Sequence, residues 1–155
     1  MAWENQWGRA QRSFGEFKKT NDGRVHDRNS DYYLDEAIHF FEDCYHLKDW
    51  LKNDSISKPL VTDVEGVISG SPNLSLCADL ANGAKHLTLT STRTGDRTTG
   101  FGNKLVKLGL GAGVPTTVAV SYEVKSGGIT YDAFTVAAAC MAEWDAYLRT
   151  KALIP

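Results

Sequence analysis

Apolar residues recur with a helical period over most of the chain. Near the N-terminus, such residues follow one another at spacings of three and four: Trp3, Trp7, Ala10, Phe14 and Phe17. This spacing places them on one face of a helix. The aromatic stripe needs a cover, from the rest of the fold or from a second subunit, because exposed aromatic side chains forfeit the free energy of burial.

The longest helical pattern follows a polar connection. Residues 33–52 carry a broad apolar arc, which is typical of the central helix of a bundle. Proline in a first turn marks the start of two further helices, at Pro59 and Pro72. Asp132 can cap a last helix that runs to Lys151.

Strand patterns lie ahead of the last helix. Alternation of apolar and polar residues predicts strands near 86–92, 116–124 and 128–131. Residues 95–113 contain six glycines and are interpreted as a mobile surface loop. We therefore predict an α+β fold that is mostly α, a bundle of four to five helices with a small antiparallel β-sheet inserted before the last helix. Residues 1–155 form a single domain in this prediction.

Composition and charge limit the function classes. The chain has 155 residues, 42% of them hydrophobic, and a formal net charge of −2. This balance gives no general attraction to nucleic acid or anionic lipid, so contact with RNA has to be local. No apolar run is long enough to span a bilayer, and residues 1–19 lack the apolar core of a secretory signal. We expect a cytoplasmic protein with no membrane association.

Three cysteines, Cys44, Cys77 and Cys140, are widely spaced and each falls within an apolar pattern. An odd number with this placement predicts buried reduced thiols rather than disulfides or a zinc knuckle. No cofactor is predicted.

The stretch Asn82-Gly-Ala-Lys-His86 lies where a helical pattern stops. One interpretation is structural, with Gly83 ending the helix in a left-handed conformation. The other is chemical, because His86 places an imidazole, a side chain suited to acid or base work, beside a cation, and Asn82 can donate to an oxyanion. Basic residues then supply a local phosphate-binding patch: Lys85, Arg93 and Arg97. Together these groups would serve metal-independent cleavage of RNA, with His86 as the acid or base.

A second candidate lies on the long helix, where acidic and imidazole side chains alternate along one arc: Glu36, His39, Asp43 and His46. A spacing of three residues lets a carboxylate and an imidazole share a metal. A solvated face of paired side chains explains the same residues, so the metal site is the alternative and not the main prediction.

Asn82 and His86, at a helix of a bundle, resemble the motif of the HEPN superfamily. This superfamily comprises small all-helical domains of toxin–antitoxin, abortive-infection and CRISPR-associated ribonucleases. Its motif is Arg, a polar residue that is often Asn, and then His a few residues later, whereas here Ala81 stands at the Arg position. The segments YHLKDWL and LCADLANGAKHL also resemble an uncharacterised bacterial family. The HEPN resemblance implies a ribonuclease or toxin with Asn82 and His86 in its active site.

Two function classes stay open at this point. The first is a HEPN-like, metal-independent ribonuclease or toxin acting on RNA. The second is a non-catalytic interaction module, such as an adaptor or antitoxin-like partner. It would form a homodimer or hold another protein through the aromatic stripe, Trp3, Trp7, Phe14 and Phe17. A metal-binding helical bundle is the third possibility.

Overall fold

Five α-helices and a small antiparallel sheet are formed by residues 2–86 and 88–155, which the computed structural model describes. The helices are α1 (Trp3–Asp22), α2 (Ser30–Asn53), α3 (Val64–Gly70), α4 (Pro72–Lys85) and α5 (Ala133–Thr150). The strands are β1 (Arg24–Val25), β2 (Gly100–Gly109), β3 (Thr117–Ser126) and β4 (Ile129–Asp132). The fold is therefore α+β and mostly α, with the three longer strands before the last helix, as the sequence predicted.

Helix α2 is the central helix and contacts α1, α4 and α5. Its start is fixed by Asn29, whose side chain accepts a hydrogen bond of 3.0 Å from the backbone N–H of Tyr32. The buried residues of α2 include Ala37, Phe40 and Leu47, which belong to the predicted apolar arc. The arc is buried because other helices cover it on several sides.

Helix α1 covers the core with its aromatic stripe. Trp3, Trp7 and Phe17 are buried, and Phe14 is half-buried against the same core. The rings of Phe14 and Phe17 both contact Phe134 of α5, with centroids 5.4 and 5.5 Å away. The prediction that the stripe is buried is confirmed. Its proposed use as a surface for a homodimer or protein partner is wrong, because the chain's own helices already cover these side chains.

Strand β3 is the centre of the sheet and pairs antiparallel with the three other strands. Val124 and Lys125 pair with both β2 and β4, so these two strands lie on opposite edges of β3. Strand β1 pairs with the other end of β3. The strands predicted near 116–124 and 128–131 are thus confirmed as β3 and β4.

The third predicted strand is wrong. His86 and residues 88–92 form bends and irregular structure, and Leu87 lies outside the described residues. The third long strand is β2, within the segment that was interpreted as a loop. Two of its glycines lie at close cross-strand contacts, since a Cβ at Gly109 would collide with the side chain of Thr117 and one at Gly102 with that of Lys125, both on β3. Glycine marks a close cross-strand approach here and not a mobile loop.

Candidate functional site

The C-terminal end of α4 carries the residues that the sequence singled out. The helix begins at Pro72, after Ser71 accepts a hydrogen bond of 3.0 Å from the N–H of Leu74. It continues through Gly83 to Lys85, and the N–H of His86 donates to the carbonyl oxygen of Asn82 at 2.8 Å. The interpretation of Gly83 as a left-handed helix end is therefore wrong.

Asn82 and His86 lie one helical turn apart, with Asn82 half-buried and both Lys85 and His86 exposed. An exposed imidazole at a helix end is accessible to a ligand and is not part of the core. Packing of His86 in the core is therefore excluded.

Of the three basic residues, Arg93 is bound by α3 and does not share a cleft with Arg97. Arg93 is half-buried and forms an ion pair with Glu65 of α3, and its Nη1 donates to Ser69 Oγ at 2.8 Å. Arg97 is exposed and lines a cleft other than the one that Arg93 lines. A phosphate clamp that needs Arg93 would therefore have to break its bonds with α3.

A cleft of about 400 Å³ lies beside the end of α4. Ile38 of α2, Gly83 and Ala84 of α4 and residues 97–101 contribute to its walls. Its polar groups include Arg97 and two threonines, whereas Asn82, Lys85 and His86 do not line it. The cleft and the exposed imidazole are thus neighbouring features and not one assembled site.

Asp79 fixes the loop that forms one side of this region. Its carboxylate is fully buried and accepts hydrogen bonds from the N–H groups of Arg93 and Thr94 at 2.8 and 3.0 Å, and from Thr94 Oγ1 at 2.6 Å. Sequence reasoning did not assign this anchoring role to Asp79. An acidic residue among core positions of a helix was the available signal, because a buried carboxylate requires partners.

The acidic and imidazole arc of α2 does not form a metal site. Glu36 accepts hydrogen bonds from Thr20 Oγ1 at 2.8 Å and from Arg24 Nη1 at 2.9 Å. Asp43 accepts hydrogen bonds from Ser13 and Gln6 of α1. His39 and His46 are exposed. The carboxylates of Glu36 and Asp43 therefore attach α2 to α1 and to β1. Within residues 2–86 and 88–155, the three cysteines are the one group of three or more potential ligands close enough to hold a metal ion.

A second ionic cluster surrounds Glu65, and sequence reasoning missed it. Burial raises the pKa of Glu65, but hydrogen bonds from Lys52 and Arg93 outweigh that effect and lower it to about 2. Lys48 is buried, forms an ion pair with Glu65 at 3.5 Å and lies over the ring of Tyr45. This cluster connects α2, α3 and the loop after α4.

The hairpin of β2 and β3 extends beyond the helices, and we call residues 102–116 the arm. None of its residues is buried. The described part of the chain has ten exposed large hydrophobic residues, and half of them lie in the arm: Leu105, Val106, Leu108, Leu110 and Val114. A concentration of exposed apolar side chains in one element is unusual for a monomer and indicates an interaction surface.

No family model, curated protein or solved structure matches the chain. The resemblance to HEPN domains therefore stays a prediction. None of the helices among the described residues combines the length and the apolar character needed to cross a bilayer.

Proposed function

We propose that this chain is a non-catalytic interaction module that binds an extended segment of another protein along the arm. The observation that supports the proposal is the exposed apolar side chains of the arm. A non-catalytic interaction module was one of the function classes that the sequence left open. The binding surface proposed here is the arm and not the aromatic stripe of α1, because that stripe is buried.

The outer edge of β2 supplies the backbone partners. In the described residues β2 pairs only with β3, so the main-chain groups on its other side have no strand to bond. An exposed edge of this kind accepts an added strand, with main-chain hydrogen bonds providing affinity and side-chain pockets providing specificity.

The arm also leaves part of one sheet face uncovered. Val106 and Leu108 pair with Val120 and Val118 of β3, so each pair lies on the same face. The β3 members are buried, whereas Val106 is 45% and Leu108 is 56% exposed. A bound segment with apolar side chains on this face would bury Val106 and Leu108 next to the buried Val118 and Val120.

The charge of β2 defines the partner further. Lys104 and Lys107 are its charged residues, and both are exposed. Opposite charges on paired strands stabilise the pairing, whereas like charges directly opposite destabilise it. Lys104 lies on the same face as Val106 and Leu108, whereas Lys107 lies on the other face. The favoured partner is therefore an extended segment that alternates apolar and acidic residues, with its apolar side chains beside Val106 and Leu108 and its acidic side chains beside Lys107. A second copy of β2 is disfavoured in registers that place lysine opposite lysine.

Two labelled eight-residue peptides test the proposal, one alternating Val with Glu and the other Val with Lys. We expect the acidic peptide to bind roughly tenfold more tightly by fluorescence anisotropy, which corresponds to about 1.4 kcal/mol. The double variant Lys104→Glu/Lys107→Glu should reverse the preference, and Val106→Ser/Leu108→Ser should weaken binding of both peptides. Lys18→Glu/Lys19→Glu, at two exposed positions of α1, changes the net charge by the same four units and is the control for net charge.

Failure of the wild type to bind either peptide would remove the proposal. Equal binding of both peptides, or a preference that survives the charge reversal, would remove the assignment to β2. Sedimentation of the wild type at several concentrations separates peptide capture from self-association, and a dimer that Leu108→Ser disrupts would favour a second copy as the occupant.

A HEPN-like ribonuclease is the second candidate, supported by the exposed His86 one turn after Asn82. Purified wild type and His86→Ala are compared on mixed RNA in the presence of a chelator. This hypothesis expects cleavage only by the wild type, with Asn82→Ala weaker and Lys85→Ala more sensitive to salt. His46→Ala is the matched control, because His46 is also exposed on a helix. Absence of cleavage by the wild type would eliminate the ribonuclease.

A further inference from the structure

Three buried cysteines meet in the core although they come from three different helices. Cys44 of α2, Cys77 of α4 and Cys140 of α5 have no exposed surface, and their Sγ atoms lie within 4.8 Å of one another. A centre bonded to three sulfur atoms at about 2.3 Å, the zinc–thiolate distance, holds them about 3.5 Å apart when it is pyramidal and about 4.0 Å apart when it is planar. Small side-chain shifts would therefore suffice for all three sulfur atoms to bind one centre.

The hydrogen bonds of the cluster describe its protonated form. Cys77 Sγ donates to the carbonyl oxygen of Phe41 at 3.4 Å, and Cys140 Sγ donates to that of Asn73 at 3.3 Å. Both contacts join separate helices. As thiols, these side chains therefore add weak bonds between helices.

The indole of Trp144 adds a donor to this cluster. Trp144 lies one turn after Cys140 on α5, is 1% exposed, and its Nε1–H has no hydrogen-bond partner. The indole N–H lies beside the thiol of Cys44. A buried donor without a partner beside a sulfur atom favours a sulfur that has lost its proton.

The surroundings determine which charge a bound centre should carry. Asp43 and Glu143 are the acidic groups near the cluster, so their negative charge disfavours a centre that leaves a net negative charge on the sulfur atoms. Three thiolates with a monovalent ion leave two negative charges in the core, and those with a divalent ion leave one. When all three sulfur atoms bind as thiolates, only a trivalent centre gives a neutral product. A neutral product avoids the cost of a buried net charge.

We propose that Cys44, Cys77 and Cys140 form a binding site for a trivalent thiophilic centre, of which arsenite is the simplest example. Sulfur ligands prefer such soft centres. In the reaction, three arsenic–oxygen bonds break and three arsenic–sulfur bonds form. Each thiol proton leaves with one hydroxyl group as water, and no oxidation or reduction takes place. Because the site has no exposed surface, loading requires opening of the helices or binding during folding.

The test uses the full chain, unfolded under reducing conditions and refolded with and without sodium arsenite. After removal of free arsenite, we expect one arsenic per chain by mass spectrometry and a raised unfolding midpoint, because a ligand that binds only the folded state stabilises it. X-ray absorption should show three sulfur neighbours and no oxygen. Alkylation in denaturant should find the three thiols protected in the loaded protein.

Single variants locate the site. Cys44→Ala, Cys77→Ala and Cys140→Ala should each weaken retention roughly tenfold or more, because two sulfur ligands remain. Met141→Leu is the matched control, since it removes a neighbouring sulfur on α5 and leaves the thiols in place. Circular dichroism identifies any variant that does not fold. If a variant does not fold, the X-ray absorption spectrum of the loaded wild type shows whether arsenic has three sulfur neighbours. Retention of zinc or cadmium but not arsenite, undiminished retention by the variants, or oxygen neighbours around arsenic would each overturn the proposal.

Discussion

Asp79 is a buried carboxylate that accepts hydrogen bonds from the backbone N–H groups of Arg93 and Thr94. Asp79→Ala leaves both donors unpaired, and each buried unpaired donor costs about 1–3 kcal/mol. We expect the free energy of unfolding to fall by about 2–6 kcal/mol in urea denaturation. Asp145→Ala is the control, because its ion pair with Arg149 is exposed and should contribute little. Equal losses in the two variants would contradict the anchoring role.

Glu65 should make the stability of the folded chain sensitive to acid. Its pKa lies at about 2, below its ordinary value of 4.5, because bonds from Lys52 and Arg93 outweigh the opposing effect of burial. A lowered pKa in the folded state means that this contribution is complete above the unfolded pKa and is lost as the pH falls towards the folded one. We expect the difference in unfolding free energy between wild type and Glu65→Gln to shrink from pH 4.5 to pH 2.

Urea denaturation at a series of pH values measures this difference. Glu16→Gln provides the comparison, since Glu16 forms an exposed ion pair with Lys19 within α1. A difference for Glu65→Gln that stays constant over the same pH range would show that the carboxylate is not stabilised in the folded state.

At the scale of the element, the turn between β3 and β4 depends on two glycines. Gly127 and Gly128 have φ angles of +58° and +76°, as a type I′ hairpin turn requires. Gly127→Ala should lower the free energy of unfolding by about 1–2 kcal/mol, because L-residues disfavour this conformation. Gly15→Ala should instead raise it by about 0.5–1 kcal/mol, because Gly15 lies within α1 and an added Cβ would meet open space. Changes of the same sign would contradict this assignment.

Strand β2 shows why one element could not be predicted from its own residues. Periodicity identified the helices and β3, because each of those elements has a face that its own residues define. The glycines and exposed apolar residues of β2 give no such pattern, since most of the strand is exposed on both faces. Its pairing with β3 defines it as a strand.

At the scale of the whole molecule, the bundle and the arm should differ in local stability. The interior of α2 is covered by other helices, whereas residues 102–116 are exposed throughout. Amide hydrogens in the middle of α2 should exchange only through global unfolding, and those of the tip, residues 110–115, should exchange fastest. Hydrogen exchange followed by mass spectrometry measures both. Similar protection of tip and bundle would show that the arm is covered in solution, and dilution would then reveal whether a second copy covers it.

The sequence by itself determined the number of helices, the starts of α4 at Pro72 and of α5 after Asp132, and the burial of the aromatic stripe. These features are local, because spacing within one helix decides which residues share a face, and a proline or capping side chain acts within one turn. Burial of Cys44, Cys77 and Cys140 followed from the same reasoning, and all three are buried and free of disulfides. The exposure of His86 did not, since a residue at a helix end belongs to no periodic face. The helix start predicted at Pro59 is wrong, because residues Lys58–Leu60 form only a short 3-10 helix and α3 begins at Val64.

Only the tertiary structure decided which residues meet. The three thiols lie on helices separated by long stretches of chain, and they come together because α2, α4 and α5 pack at one level of the core. Arg93 bonds to α3 and not to a phosphate patch, because Asp79 holds the backbone of its loop. Contacts between distant segments depend on the relative rotation and depth of packed elements, which no local pattern specifies.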